Sequence, residues 1–325
     1  MLALGGTIAM RSSRGAGASP QLSADDLVAA VPGLSDLAHI HARSVRTLPG
    51  ASLSFADVVE TAHIARRCVD DGAAGVVVTQ GTDSLEETCY VLDLLWDRPE
   101  PLVVTGAMRP ATAPGADGPA NLWAASAVAV APESRGRGCL VVFADQIYSA
   151  RDVAKVHSTG PAAFAAPGAG PVGGVTEGRP EFSSPPGSRL AALAPIADQP
   201  PHVALVSALL GDDGRQLQAV IDGDFGGVVL AAMGAGHVPE RMLGAIASAV
   251  EHLPVAVVSR TNAGLLLRET YEFPGSERDL HRLGVLDGAG LGALKARVLL
   301  TLSLWSAPDR ATAEAAFRHR AATRY

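Results

Sequence analysis

The chain has 325 residues, 48% hydrophobic and 18% charged, with a formal net charge of −7, which is long enough for two ordinary domains and a substantial core. That balance excludes a disordered or low-complexity chain. An acidic total without a run of five Lys or Arg excludes a concentrated basic face for nucleic acid, and the lack of any apolar stretch of about 18 residues argues against a membrane span.

The first residues, Met-Leu-Ala-Leu, run into Gly5-Gly6-Thr7-Ile8-Ala9, a start too short and too glycine-rich for a signal peptide. The glycines permit tight backbone and leave amide N–H groups around Thr7. This reads either as a plain strand-to-loop turn or as a loop that presents a hydroxyl. Helical periodicity follows over 54–71, then a valine-rich strand over 74–79 that ends in Thr-Gln-Gly-Thr-Asp. Asp83 can cap the next helix, 85–96, with Glu86 or Glu87 favouring its start. Alternatively, Thr82 and Asp83 sit at the tip of a parallel strand, where open α/β sheets bind their ligands.

A strand over 102–105, a helix over 119–130 and a strand over 140–144 continue the alternation. The polar loop Arg151-Asp152-Val153-Ala154-Lys155 comes next. A lysine in such a loop is ordinarily a solvated cation with a pKa of about 10.4. One kept neutral by burial can instead accept the proton of a threonine.

Periodicity fails between 168 and 201, where Pro-Val-Gly-Gly-Val-Thr-Glu-Gly-Arg-Pro-Glu-Phe-Ser-Ser reads as a hairpin and the proline-rich remainder as a connector. Strands over 203–210, 227–232 and 255–259 then alternate with helices over 215–222 and 239–252. Helices over 294–304 and 309–323 close the chain, the latter with Asp309 as N-cap. Strands alternating with helices imply parallel sheets covered on both faces. We therefore expect two α/β domains: a larger N-terminal parallel-sheet domain of flavodoxin-like or Rossmann-like type over 1–184, a linker over 185–201, and a smaller α/β domain over 202–325.

Several chemistries lack their residues. There is no Gly-x-Gly-x-x-Gly and no Gly-x-x-x-x-Gly-Lys-Ser/Thr for a nucleotide, and no His-Glu-x-x-His or Cys-x-x-Cys for a metal. We expect neither cofactor nor metal. Cys68, Cys89 and Cys139 are an odd number at no ligand spacing and read as thiols in a reducing compartment, hence a cytoplasmic protein.

Taken together, Leu4-Gly-Gly-Thr-Ile-Ala9, Thr79-Gln-Gly-Thr-Asp-Ser-Leu-Glu-Glu-Thr88, Thr105-Gly-Ala-Met-Arg-Pro110 with Gly118-Pro-Ala-Asn-Leu122, Arg151-Asp-Val-Ala-Lys155 and Lys295-Ala-Arg-Val-Leu-Leu300 resemble, in order and spacing, the bacterial-type L-asparaginases. The resemblance runs from Leu2 to about Ala316. It implies a threonine amidohydrolase that converts L-asparagine to L-aspartate and ammonia. Thr7 would be the nucleophile, forming a β-aspartyl ester, and Thr82, Asp83 and Lys155 the second catalytic group. In that group Lys155 would be the base, with Asp83 also holding the substrate's α-amino group. Backbone N–H groups near Thr82 and Ala107, beside Gly81, would face the oxyanion. Glu277 would reach the site of a neighbouring subunit, which implies a homodimer or homotetramer.

The sequence departs from the family pattern in three places. The lid, Met10 to Pro20, lacks the family's tyrosine, and the nearest tyrosines, Tyr90 and Tyr148, lie in other elements. In the substrate loop Gly50-Ala51-Ser52, Gly50 falls where the family offers a serine to the α-carboxylate, a loss of about 1–3 kcal/mol if nothing replaces it. Ala235 and His237 stand where some members carry asparagines, with His237 read as structural or as a substrate contact. These changes open a second reading, a hydrolase of a larger or N-substituted asparagine-like amide. A third, a non-catalytic asparagine or aspartate sensor, should have lost Thr82, Asp83 or Lys155, and all three are present.

Overall fold

The computed structural model describes residues 1–11 and 19–323; the centre of the expected lid, 12–18, lies outside the described residues. The chain forms two compact units, the first spanning Met1–Ala192 and the second starting at Leu193.

Four strands of the first unit are only four or five residues long and wholly buried. They are β1 (Leu2–Gly5), β3 (Val76–Thr79), β4 (Leu102–Thr105) and β5 (Cys139–Phe143), with β2 (Arg43–Leu48) lying between β1 and β3 in sequence. All five pair in parallel, in the order β2-β1-β3-β4-β5. This is the flavodoxin-type order, and its topological switch point falls between β1 and β3. Beyond β5 the sheet turns antiparallel through β6 (Gln146–Ser149). A short antiparallel pair, β7 (Ala154–Lys155) and β8 (Phe164–Ala165), stands apart from the sheet. The expected hairpin, β9 (Gly173–Thr176) and β10 (Arg179–Phe182), completes the eight strands.

Helices make the crossovers. α1 (Phe55–Asp70) begins with a capping box in which Ser54 Oγ accepts from Asp57 N and Ser54 N donates to the Asp57 carboxylate. It buries Val58, Thr61, Ala62, Ile64 and Ala65, one stripe of a 3.6-residue period. α2 (Leu85–Leu95) and α3 (Gly118–Val130) are buried along most of their length. In α3 the alanines let the helix lie close on the sheet, against Val103, Leu140 and Val142.

The second unit repeats the principle on a smaller scale. β11 (Val203–Ser207), β12 (Gly227–Ala232), β13 (Val255–Ser259) and β14 (Leu286–Asp287) pair in parallel in chain order. Around them lie α4 (Arg215–Ile221), α5 (Leu243–His252), α6 (Glu277–Leu283), α7 (Ala293–Trp305) and α8 (Arg310–Ala322). Asp309 caps α8 by accepting from Thr312 N at 2.8 Å. The 239–252 segment starts later than its periodicity suggests, since Glu240–Met242 is a single 3₁₀ turn.

Sequence periodicity misses β2 and α6, and β1 is signalled only by the turn that follows it. β2, Arg-Ser-Val-Arg-Thr-Leu, is an edge strand without a fully buried residue. α6, Glu-Arg-Asp-Leu-His-Arg-Leu, buries only Glu277 and Leu280.

Candidate active site

The ends of β1 and β3 are brought into contact by glycines. A Cβ on Gly6 would lie 2.0 Å from Gly81 N, and one on Gly50 would lie 2.9 Å from the Gly81 carbonyl oxygen. Three loops, those after β1, β2 and β3, therefore meet backbone to backbone, which only glycine permits. Gly6 also has φ 79°, and its N–H donates to Leu48 O at 2.9 Å. The residue after Gly6 is Thr7 and the residue after Gly81 is Thr82, so the contact sets both threonines at the switch point. Thr7 opens a 3₁₀ turn, Thr7–Ala9, whose Ile8 and Ala9 are buried while Thr7 is half-exposed.

Thr82 is 5% exposed. Lys155, arriving on β7, donates from Nζ to Thr82 Oγ1 at 2.9 Å and to Asp83 Oδ1 at 2.7 Å. The lysine side chain is 16% exposed and that of Asp83 69%, so one oxygen of the carboxylate engages the lysine while the group as a whole faces outward. The N-cap of α2 is Ser84, whose side chain makes no capping bond; Asp83 holds the lysine and is not the cap. Glu86, in the first turn of α2, accepts from Lys155 N at 2.9 Å, which pins the backbone that carries the amine. Sequence reasoning assigned Glu86 only to the helix start.

Ala107 lies in the loop after β4. Asp117 shapes that loop by accepting from Met108 N and Arg109 N, each at 2.9 Å. Asn121 ties it to the end of β5, donating to Gly106 O and accepting from Ala144 N, each at 3.0 Å. These two residues were passed over individually, although the Gly118-Pro-Ala-Asn-Leu122 stretch marked the place. Gly50 is buried, Ala51 and Ser52 are exposed, and Ser84 Oγ donates to Gly50 O at 2.7 Å. The glycine at 50 is a close-packing position without room for a serine, so Ser52 is the hydroxyl this loop offers.

Tyr148, one of the tyrosines considered for the missing lid residue, donates to Phe164 O at 3.0 Å, and burial raises its pKa. Tyr90, the other, is fully buried in α2. Among the described residues no side chain hydrogen-bonds the Thr7 hydroxyl, and no group of three His, Cys, Asp or Glu could hold a metal. A cavity of about 630 Å³ lies at the opposite ends of β1 and β3, beside Met1, His41 and Val76, and touches none of the residues above.

In the second unit Glu277 is 2% exposed. It accepts from Thr270 N at 2.9 Å and Tyr271 N at 2.8 Å, and lies 3.2 Å from His237 Nε2. Burial by itself would raise its pKa, but these donors and its own amide outweigh that and lower it. His237 packs edge-on against Tyr271 and Phe273, with ring centroids 4.9 and 5.1 Å away.

Two family models cover the chain: asparaginase, N-terminal, over residues 1–187, and glutaminase/asparaginase C-terminal domain over 202–317. The chain is 33% identical over 318 residues to a probable periplasmic L-asparaginase of Haemophilus influenzae, covering 95% of this chain and 89% of that protein. It is 32% identical over 331 residues to a glutaminase-asparaginase of Pseudomonas aeruginosa, covering 95% and 86%. A crystal structure of a probable cytoplasmic L-asparaginase from Campylobacter jejuni superposes with a TM-score of 0.85 at 31% identity, covering 97% of each chain. With both family models matched in order and likeness along nearly its whole length, the chain belongs to the bacterial-type asparaginase family of amidohydrolases.

Proposed function

We propose that this protein hydrolyses the side-chain amide of L-asparagine to L-aspartate and ammonia through an ester on Thr7. The observation that carries the reading is the Thr82–Lys155–Asp83 hydrogen-bonded group, set by the Gly6–Gly81 contact beside the Thr7 loop. Thr7 Oγ bonds the amide carbon as its proton is taken up, and the C–N bond breaks with the proton passing to the leaving ammonia. A water then adds to the ester carbon. It gives a proton to Thr82 Oγ1 as the proton of Thr82 moves to an unprotonated Lys155, and the ester bond breaks as Thr7 recovers its hydrogen. Amide N–H groups of the Gly81–Thr82 turn and of Ala107 face the oxyanion in each step. The Asp83 carboxylate receives the α-ammonium, and the Gly50–Ser52 loop the α-carboxylate.

The same reading makes the protein a homodimer or homotetramer in which Glu277 lies near a neighbouring copy's site. The three cysteines, all thiols, support a cytoplasmic, reducing compartment. Among the described residues no helix is long and apolar enough to cross a membrane. Purified protein given asparagine should release aspartate and ammonia, and Thr7→Ala and Thr82→Ala should each lower kcat by about a hundredfold or more. Full activity in either variant would remove the roles assigned here. A panel of asparagine, glutamine and N-substituted asparagines, ranked by kcat/KM, sets the substrate range.

A further inference from the structure

Lys155 carries a conflict between what the structure shows and what the chemistry requires. To receive the Thr82 proton the amine must first lose one of its own, yet Asp83 Oδ1 sits 2.7 Å from Nζ and favours the ammonium. The other nearby carboxylate, Glu86, is bonded to the Lys155 backbone N–H. The β8 partners of β7, Phe164 and Ala165, bring no titratable group. Arg151 and Asp152 lie on the turn that leads into β7, with Asp152 held by Ser149 Oγ at 2.8 Å, and His157 bonds Thr159 N and Gly160 N of its own loop. Asp83 is therefore the carboxylate that pairs with the Lys155 amine, and it is also the exposed one.

We propose that the substrate's α-ammonium takes over the Asp83 carboxylate and so converts Lys155 from ion-pair partner to base. The inference rests on the asparaginase reading, in which Asp83 receives that ammonium. One cation arrives at the carboxylate and one proton leaves Nζ for solvent, so the charge around Asp83 balances. The incoming ammonium acts twice in one direction: it competes for the carboxylate, and it stands as a like charge near Nζ. The substrate's α-carboxylate, held on the Gly50–Ser52 side, is the charge that opposes it. Occupancy thus frees the amine to act as base, and an amide without a neighbouring ammonium leaves it paired with Asp83.

The test compares asparagine with its deamino analogue, succinamic acid, at saturating concentrations across pH. The analogue is expected to show a kcat roughly a hundredfold lower near neutral pH. Between about pH 6 and 7.5, where the ammonium of asparagine stays charged, that deficit should narrow as pH rises, by up to about tenfold per pH unit, because solvent alone removes a growing share of lysine protons. Methylammonium, placed in the vacated ammonium position, should restore part of the lost kcat, and a larger share of it at about pH 6 than at about pH 7.5. A deficit equal across that range, or a change confined to KM, overturns the inference, because below the titration of the substrate's own amine a group that only positions substrate has no pH signature. If asparagine itself releases no ammonia, it is the functional reading that fails.

Discussion

A serine built at position 50 would set its Cβ 2.9 Å from the Gly81 carbonyl oxygen and 3.2 Å from Gly81 Cα. Gly50→Ser is therefore expected to displace the turn that carries Thr82, costing about 1–3 kcal/mol of stability and lowering kcat, as read by thermal unfolding and steady-state kinetics. An increase in affinity for asparagine would show that the loop has room for the hydroxyl after all. Tyr148 gives a cleaner separation. Its hydroxyl is spent on Phe164 O, so Tyr148→Phe should cost about 0.5–1.5 kcal/mol and leave kcat unchanged. A collapse of kcat with normal folding would instead make Tyr148 the group that activates Thr7.

The loop after β4 and the backbone of Lys155 are each fastened by polar side chains at or in a helix. For the loop after β4 the fasteners are Asp117 and Asn121, and for the backbone of Lys155 the fastener is Glu86. Asn121 is buried and bonds backbone groups from two strand ends. Asn121→Ala leaves those groups unpaired, at a cost of about 1–3 kcal/mol, and frees the loop that presents Ala107. Denaturant titration should record the loss of stability, and kcat should fall more than KM rises if the Ala107 amide acts on the oxyanion. Unchanged kcat in a stably folded Asn121→Ala would remove Ala107 from the oxyanion site.

For the whole molecule, acid sensitivity is the accessible readout. The Glu277 pKa is lowered in the folded chain, so its stabilising contribution is complete above the unfolded carboxylate value of about 4.3. That contribution disappears as pH falls through the folded value, because the unfolded chain then takes up the proton first. Glu277→Gln should flatten the dependence of the unfolding midpoint on pH below about 4.3; an unchanged acid limb would show that other carboxylates govern it. Light scattering of the wild type over a concentration series is expected to give a dimer or tetramer, and a persistent monomer with full activity would separate Glu277 from catalysis.

Valine-rich runs and helical periods sufficed to locate β4, β12 and β13 to the residue and most helices to within one or two, because strands buried on both faces and helices with an apolar stripe write their periods into the chain. Edge strand β2 and charged helix α6 bury too little to do so. The motifs around Thr7, Thr82 and Lys155 each had a bland alternative, as a turn, a helix cap and a solvated lysine, and only their order and spacing taken together, as a family resemblance, marked them as a candidate site. Only the fold decided that Asp83 bonds Lys155 instead of capping α2, that Gly50 is a contact glycine, and that Glu86, Asp117 and Asn121 hold the loops. Each of those depends on which groups approach one another across 8 to 72 residues of chain, and no local pattern records such an approach.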